Sequence, residues 1–353
     1  MDITSRLNNL SLRRSDRQFV IDRAFESVEK SLFSENTDFL NLDEHEKWKK
    51  YVLDSMAEVP KRSTDISFEE GEKVKNHLLE NLGKYNLSAE IKFQGSVINN
   101  TNIKGNSDID LLVITDKYIT LEKPQIPENP YDGEPLDDLD ELRSVCVKIL
   151  RNIYSCAKVD DSGAKSIKLS GGSLRRDIDV VPSNWFYSNL YKQNPQCDYY
   201  KGVQVFDKEK RTRNENYPFY NMELLRRKDK NSSYLYKSLV RLAKNIRCDS
   251  EYKKVQNISS YDIQAIFYHM RNECFHNLTG IDIIPVATEY LKQLIKNPEV
   301  YNVLDVPDGT RHISDKLSIN ELSLLYKEFN DINSVLGHST FNTILSTMNN
   351  MII

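Results

Sequence analysis

The hydrophobic period of this 353-residue chain changes once, near residue 220, and that change limits the folds open to it. Before it, stretches that alternate apolar and polar residues, as half-buried strands do, are interleaved with stretches at helical spacing. AEIKFQGS alternates Ile91 and Phe93 with Lys92 and Gln94, and SDIDLLVIT follows as a second strand. SIKLS and LRRDIDVVPS read as two more, joined by a tight turn at Gly171-Gly172. Helices are expected over 15–32, 67–83 and 137–155. Beyond residue 220 the strand pattern fades, and 234–248, 259–273, 281–296, 317–330 and 338–351 all read as helices. The fold class predicted is therefore α+β. Residues 1–218 should form a mixed α/β half, the N-terminal helices included, and 219–353 an all-helical half, a length that suits about two domains.

Charge excludes one class of function and leaves another open. The net charge is −4, so the chain as a whole is no polycation. Residues 201–256 nevertheless carry 15 Lys and Arg against 7 Asp and Glu, enough to draw in an anionic ligand or to form a solvated face. Residues 123–136 hold four prolines and several acids and read as a loop, because proline suits neither inner strands nor helix interiors. No apolar run approaches the ~20 residues of a membrane span. The N-terminus lacks the apolar core of a signal peptide, so a cytoplasmic location without a membrane partner is expected. The five cysteines are scattered and form no CxxC pair, which indicates neither a disulfide framework nor a zinc site.

The chemistry is concentrated in a few acids. Asp108 and Asp110 stand at i and i+2 of a strand and so share one face. Two carboxylates that close repel unless a cation lies between them, and Mg²⁺ takes such hard oxygen ligands together with substrate phosphates. Asp-x-Asp pairs also occur at ordinary solvent-facing strand ends. Context separates the two readings: Gln94-Gly95-Ser96 follows the preceding strand, where glycine lets backbone approach a phosphate and free N–H groups bind anions. A third acid lies on the strand RRDIDVVPS, where Asp177 and Asp179 again share a face, and spacing does not choose between them. The acid not used should be a partly exposed one paired with Arg175 or Arg176.

QGSVINNTNIKGNSDIDLLV followed by DIDVVPS resembles the DNA polymerase β-like nucleotidyltransferases. Within them it resembles the branch of cyclic GMP-AMP synthase, oligoadenylate synthase and the bacterial CD-NTases of anti-phage defence. There the third acid directly precedes an apolar pair and proline, which selects Asp179. SLVRLAKNIR resembles the helix whose lysine reaches the donor triphosphate, here Lys244. NISSYDIQAIFYH resembles the segment where a serine binds phosphate and the next tyrosine stacks on a base, here Ser260 and Tyr261. The resemblance implies a polymerase β-like core, a twisted mixed sheet with helices, and a C-terminal helical bundle as two lobes around a cleft. Asp108, Asp110 and Asp179 would be catalytic and hold two Mg²⁺, with Mn²⁺ able to replace it. Gln94, Gly95, Ser96, Lys244, Ser260 and Tyr261 would bind nucleotide. The substrates would be ATP and a second NTP, joined into a cyclic di- or trinucleotide second messenger that acts on a separate effector. The zinc element of the animal DNA sensor has no counterpart in the sequence. An RNA partner stays open, and nucleotide addition to RNA or to a protein is the alternative activity.

Overall fold

The computed structural model describes residues 2–14, 38–103 and 108–336. The helices expected over 15–32 and 338–351 lie outside the described residues. In chain order the elements are α1 (Ile3–Arg14), α2 (Glu44–Met56), α3 (Lys61–Leu82), β1 (Ala89–Gln94), α4 (Gly95–Ile98), β2 (Ile109–Leu121), α5 (Pro135–Ile153), β3 (Lys158–Asp160), β4 (Ile167–Ser170), β5 (Ile178–Tyr187), β6 (Lys201–Asp207), β7 (Thr212–Asn216), α6 (Pro218–Asn231), α7 (Tyr236–Asp249), α8 (Ser260–Tyr268), α9 (Ile283–Lys296) and α10 (Ile319–Leu336), with single helical turns between some of them. They divide into two compact units: Pro60–Asn100 with Ser107–Leu224, and Met1–Val59 with Thr101–Asn106 and Leu225–Ile353. Among the described residues no helix is long and apolar enough to cross a membrane.

The first unit is built on a mixed sheet in the order β1-β2-β5-β4-β3, with β6 pairing the far end of β5 and β7 pairing β6. The pair β2–β5 is parallel and its neighbours are antiparallel. Strand alternation divides the sheet's residues between two faces. Ile109, Leu111, Val113, Ile178 and Val180 turn to one side, where they meet Val74, Leu78 and Leu82 of α3 and Leu139, Leu142 and Cys146 of α5. None of these five strand residues is more than 1% exposed. Each fully buried aliphatic side chain is worth about 1.5–3 kcal/mol. A slip of one residue would expose them and push the intervening aspartates into the core, so burial on this face pins the register. The opposite face carries the acids and, further along, a small apolar cluster of Leu112, Ile114, Val181, Val203 and Val205.

Two local expectations differ from what is seen. The β4–β5 connection is a hairpin, but it runs through residues 171–177 rather than a two-residue turn. Gly172, at φ +62°, lies so close to the Cys156–Ala157 backbone that a Cβ would come within 2.8 Å of it. Arg175 then ties the connection to α3 through Glu69 and Glu70, at 2.8 and 2.9 Å. Of the strands absent from the sequence pattern, β3 is short and β7 (TRNEN) lacks apolar alternation, whereas β6 (KGVQVFD) does alternate Val203 and Val205 with Gln204.

The second unit is helical. Leu239, Val240 and Ala243 of α7, Ile263 and Phe267 of α8, Val286 and Tyr290 of α9 and Leu325 and Phe329 of α10 share one core. The helices α1 and α2, not picked out by the sequence pattern, lie in this unit, although residues 1–218 are expected with the sheet. Ile3, Leu7 and Leu10 of α1 and Trp48, Tyr51 and Val52 of α2 lie in that same core. Charge fixes the arrangement: Arg13 pairs with Asp249 at 2.6 Å, and the buried Arg6 and Glu328 pair with each other.

Candidate active site

One register row crosses the first unit's sheet through four polar residues. Gln94 of β1 pairs with Asp110 of β2, Asp110 with Asp179 of β5, and Asp179 with Lys168 of β4. Partners in a row project to the same face, and so do residues two apart on one strand. Asp108, Asp110, Asp177 and Asp179 therefore all stand on the face opposite the α3–α5 core. Four carboxylates at the adjoining ends of β2 and β5 repel one another, and a cation is needed among them.

Lys168 supplies part of that charge. Its Nζ donates to Asp108 Oδ2 at 2.6 Å and lies 3.4 Å from Asp177. The hydrogen bond to Asp108 raises the lysine above its ordinary pKa against the opposing effect of burial, with Asp177 and Asp179 adding to the rise. Asp179 is raised too, first by its own burial and then by the charge of Asp108, although Lys168 and a hydrogen bond from Ser166 pull the other way. Asp177 remains 41% exposed at its side chain and lies against Lys168, while of the two expected partners Arg175 is engaged by α3 and Arg176 donates to Ser63. Lys168 and Ser166 were not anticipated from sequence. SIKLS shows the alternation that puts Ile167 and Leu169 in the core, but not which strand Lys168 would face.

Gly95 opens α4 at φ +86°, a conformation that disfavours side chains, and a Cβ there would lie 2.0 Å from Asp110 Oδ2. The Gly-Ser turn and the Asp-x-Asp strand are thus in direct apposition: backbone packs where a side chain would displace the carboxylate. Ser96 follows, half-buried, as the second residue of α4.

Among the described residues, no group of three His, Cys, Asp or Glu is gathered closely enough to form a metal cage. The donor set nonetheless fits a hard divalent cation. It offers carboxylate oxygens only, Asp110 and Asp179 are direct register partners, and the Lys168 ammonium already stands in for positive charge beside Asp108.

The remaining candidates lie in the helical unit. Lys244, on α7, is 1% exposed, and its Nζ donates to the Thr101 carbonyl at 2.7 Å. Ser260, first residue of α8, accepts from Arg247 at 3.3 Å, while the neighbouring Ser259 is the N-cap. Tyr261 is half-buried beneath the Arg311 guanidinium, 5.6 Å from the ring centre. Burial, with the Asp308 carboxylate beside it, pushes its phenol far above the usual range.

Residues 223–337 match the cGAS/DncV-like nucleotidyltransferase C-terminal helical domain. Over 330 residues the chain is 30% identical to the cyclic dinucleotide synthase CdnE of Yersinia aleksiciae, a match that covers 89% of this chain and 86% of that one. The chain belongs to the cGAS/DncV-like nucleotidyltransferases. It is also 31% identical to a c-di-GMP synthase of Capnocytophaga granulosa, over 81% of this chain and 87% of the relative. A solved STING-associated CdnE c-di-GMP synthase from Flavobacteriaceae sp. superposes with a TM-score of 0.72 at 27% identity, covering 82% of this chain and 87% of that one. As a member of this family the protein is a nucleotidyltransferase, a synthase of cyclic oligonucleotides.

Proposed function

We propose that the protein joins two nucleoside triphosphates into a cyclic dinucleotide, with GTP as donor and acceptor and c-di-GMP as product. The register row Gln94–Asp110–Asp179–Lys168 carries the catalytic part of this reading. The names of the Capnocytophaga and Flavobacteriaceae relatives move the favoured substrate from ATP and a second NTP to GTP.

Asp108, Asp110 and Asp179 would hold the divalent ions, Mg²⁺ first, whose charge offsets that of the triphosphate and favours ionisation of the acceptor hydroxyl. Asp179, made more basic by burial and by Asp108, accepts the hydroxyl proton at its carboxylate, with Ser166 orienting it. The hydroxyl oxygen bonds to the donor α-phosphorus as the bond to the β-phosphate oxygen breaks, and pyrophosphate leaves. A second, equivalent attack closes the ring. Gly95 and Ser96 receive terminal phosphate oxygens through backbone N–H and hydroxyl. Lys244 would exchange the Thr101 carbonyl for a phosphate oxygen, Ser260 would add a donor, and Tyr261 would stack on a base. The product would act on a separate effector in cytoplasmic anti-phage signalling.

The alternative of nucleotide addition to RNA drew on the basic run 201–256, but at least four of its fifteen cations are buried or held by the protein's own groups. Arg241 and Lys244 are 3% and 1% exposed, Arg247 donates to the Ile258 carbonyl and Arg213 to Thr120. Purified protein with labelled GTP and Mg²⁺ should yield a small, phosphatase-resistant product without added RNA. Label found only on RNA or on protein overturns the synthase reading. Label that enters a cyclic product only when a second NTP is present overturns the choice of GTP alone.

A further inference from the structure

Away from the carboxylate row, the sheet-bearing unit has a groove of about 420 Å³ along α5, in the range of small-ligand pockets. Its lining sets four cations, Arg143, Lys148, Arg151 and Lys208, against two acids, Asp140 and Asp161. Both acids have cations of their own, since Asp161 pairs with Arg151 at 3.2 Å and Asp140 lies 3.8 Å from Arg211. The unusual member is Arg143. It is 3% exposed, and its Nη2 donates to the carbonyls of Asp161, Gly163 and Ser166 at 3.1, 2.7 and 2.9 Å. Its other terminal nitrogen, Nη1, is buried with no hydrogen-bond partner among the described residues. Burial holds the guanidinium below its ordinary pKa even though Asp161 and Asp140 oppose the shift. A buried arginine with an unused donor costs free energy, and the group that complements such a fork is a carboxylate or a phosphate. Around it are charges at reach of water: Arg151, whose side chain is 56% exposed, and Lys208, which gives one proton to the Asp161 carbonyl and retains two more donors.

We propose that this groove binds a small phosphate-bearing anion, with Arg143 Nη1 as its central donor and Arg151 and Lys208 at its rim, and that occupancy reaches the active site through Ser166. The route is two bonds long. The Ser166 carbonyl accepts from Arg143, and the Ser166 hydroxyl hydrogen-bonds Asp179. Two residues on, the same strand carries Lys168 to Asp108. A phosphate at Nη1 leaves the Nη2 donors in use but shifts the guanidinium that carries them, and so re-aims the segment that orients Asp179.

The site does not depend on which cyclic product is made, and binding can be measured without turnover. The chain with Asp110→Asn and Asp179→Asn, which silences the active-site row, is titrated by calorimetry in turn with inorganic phosphate, pyrophosphate and GTP. Saturable binding of at least one is expected, and the tightest arm tells a free phosphate from a nucleotide's. Adding Arg151→Glu with Lys208→Glu, both outside the core, should weaken that binding at least about tenfold, as loss of charge-assisted contacts predicts. Arg143→Lys keeps the charge but not the fork and should weaken it too. Because Arg143 also holds residues 161–166, its result counts only alongside an unchanged melting temperature, and the rim pair carries the test if it melts early. In the otherwise native chain, the same ligand should change kcat more than KM for GTP, and the rim pair should abolish that change. No saturable binding, or binding indifferent to the rim pair, overturns the site. Binding that leaves kcat untouched overturns the route through Ser166.

Discussion

The two sets of nucleotide-site candidates sit in opposite physical states. On the sheet, Asp108, Asp110, Asp177 and Asp179 crowd the adjoining ends of β2 and β5, and Lys168 offsets part of their charge. In the helical unit, Lys244 is buried against the Thr101 carbonyl, Ser260 is bonded to Arg247 and Tyr261 lies under Arg311. The first set is incomplete without a cation, and the second is already satisfied by its own neighbours. An electrostatic centre of the first kind is fixed by backbone register and is ready before ligand arrives. Groups of the second kind must exchange an internal partner for the ligand, so part of their interaction with it is cancelled.

Substitutions should separate the two sets, the sheet set affecting chemistry and the helical set affecting binding. Asp110→Asn or Asp179→Asn is the strongest test: cyclic product should fall about 10³-fold or more, several kcal/mol at about 1.4 kcal/mol per tenfold, with circular dichroism unchanged. Residual activity near the native level would remove the carboxylate row from the mechanism. Gly95→Ala should cost about 100-fold in kcat, because its methyl meets Asp110 Oδ2 and misplaces it. Steady-state kinetics showing a KM effect alone would place Gly95 in binding instead.

Tyr261→Ala should raise KM for the nucleotide about tenfold while Tyr261→Phe stays close to native, the pattern of stacking at about 1–3 kcal/mol per base. If Phe behaves like Ala, the hydroxyl's contact with Asp308 matters and stacking does not. Lys168→Met removes the built-in cation, so its melting temperature should drop by a few degrees in EDTA and recover with Mg²⁺ more than the native chain gains. Equal Mg²⁺ gains in both proteins would dissociate Lys168 from the acids.

The smallest effect concerns pH and lies in the helical unit. Burial pushes Lys228 down to about 8 while its ammonium donates to the Met270 carbonyl. An unfolded lysine titrates near ~10.4, so between about 8 and 10.4 the unfolded chain binds more protons and stability rises with pH. Below 8 the full cost of burying the charge is present. Lys228→Met should therefore be more stable than the native chain by on the order of 1–2 kcal/mol at pH 7, less as pH rises. Denaturant melts at pH 7 and 9.5 giving a constant difference would contradict this.

Sequence alone went far with the sheet's acids and less far with their surroundings. Alternation at 108–110 and 177–179 put each pair of acids on one face, and the helical period located α5, α7 and α9 to within two residues but missed the start of α3 and the end of α10 by six. These are local properties, set by side-chain direction along one element. The long loop around residues 123–136 was legible for the same reason. What stayed hidden was pairing. Whether Lys168 faces Asp179 or solvent depends on which strand lies beside β4 and in what register, and no residue of SIKLS encodes that by itself. Likewise α1 and α2 are amphipathic whichever core they join, and only the presence of α7 with its matching apolar face decides for the helical unit. Lys244 reads as a surface cation or a phosphate ligand in sequence, and the fold made it a buried one held by Thr101. The sequence by itself determined which chemical groups the protein has and which face of its own element each occupies. The tertiary structure decided which of them meet, because register and packing join residues through contacts distant in the chain.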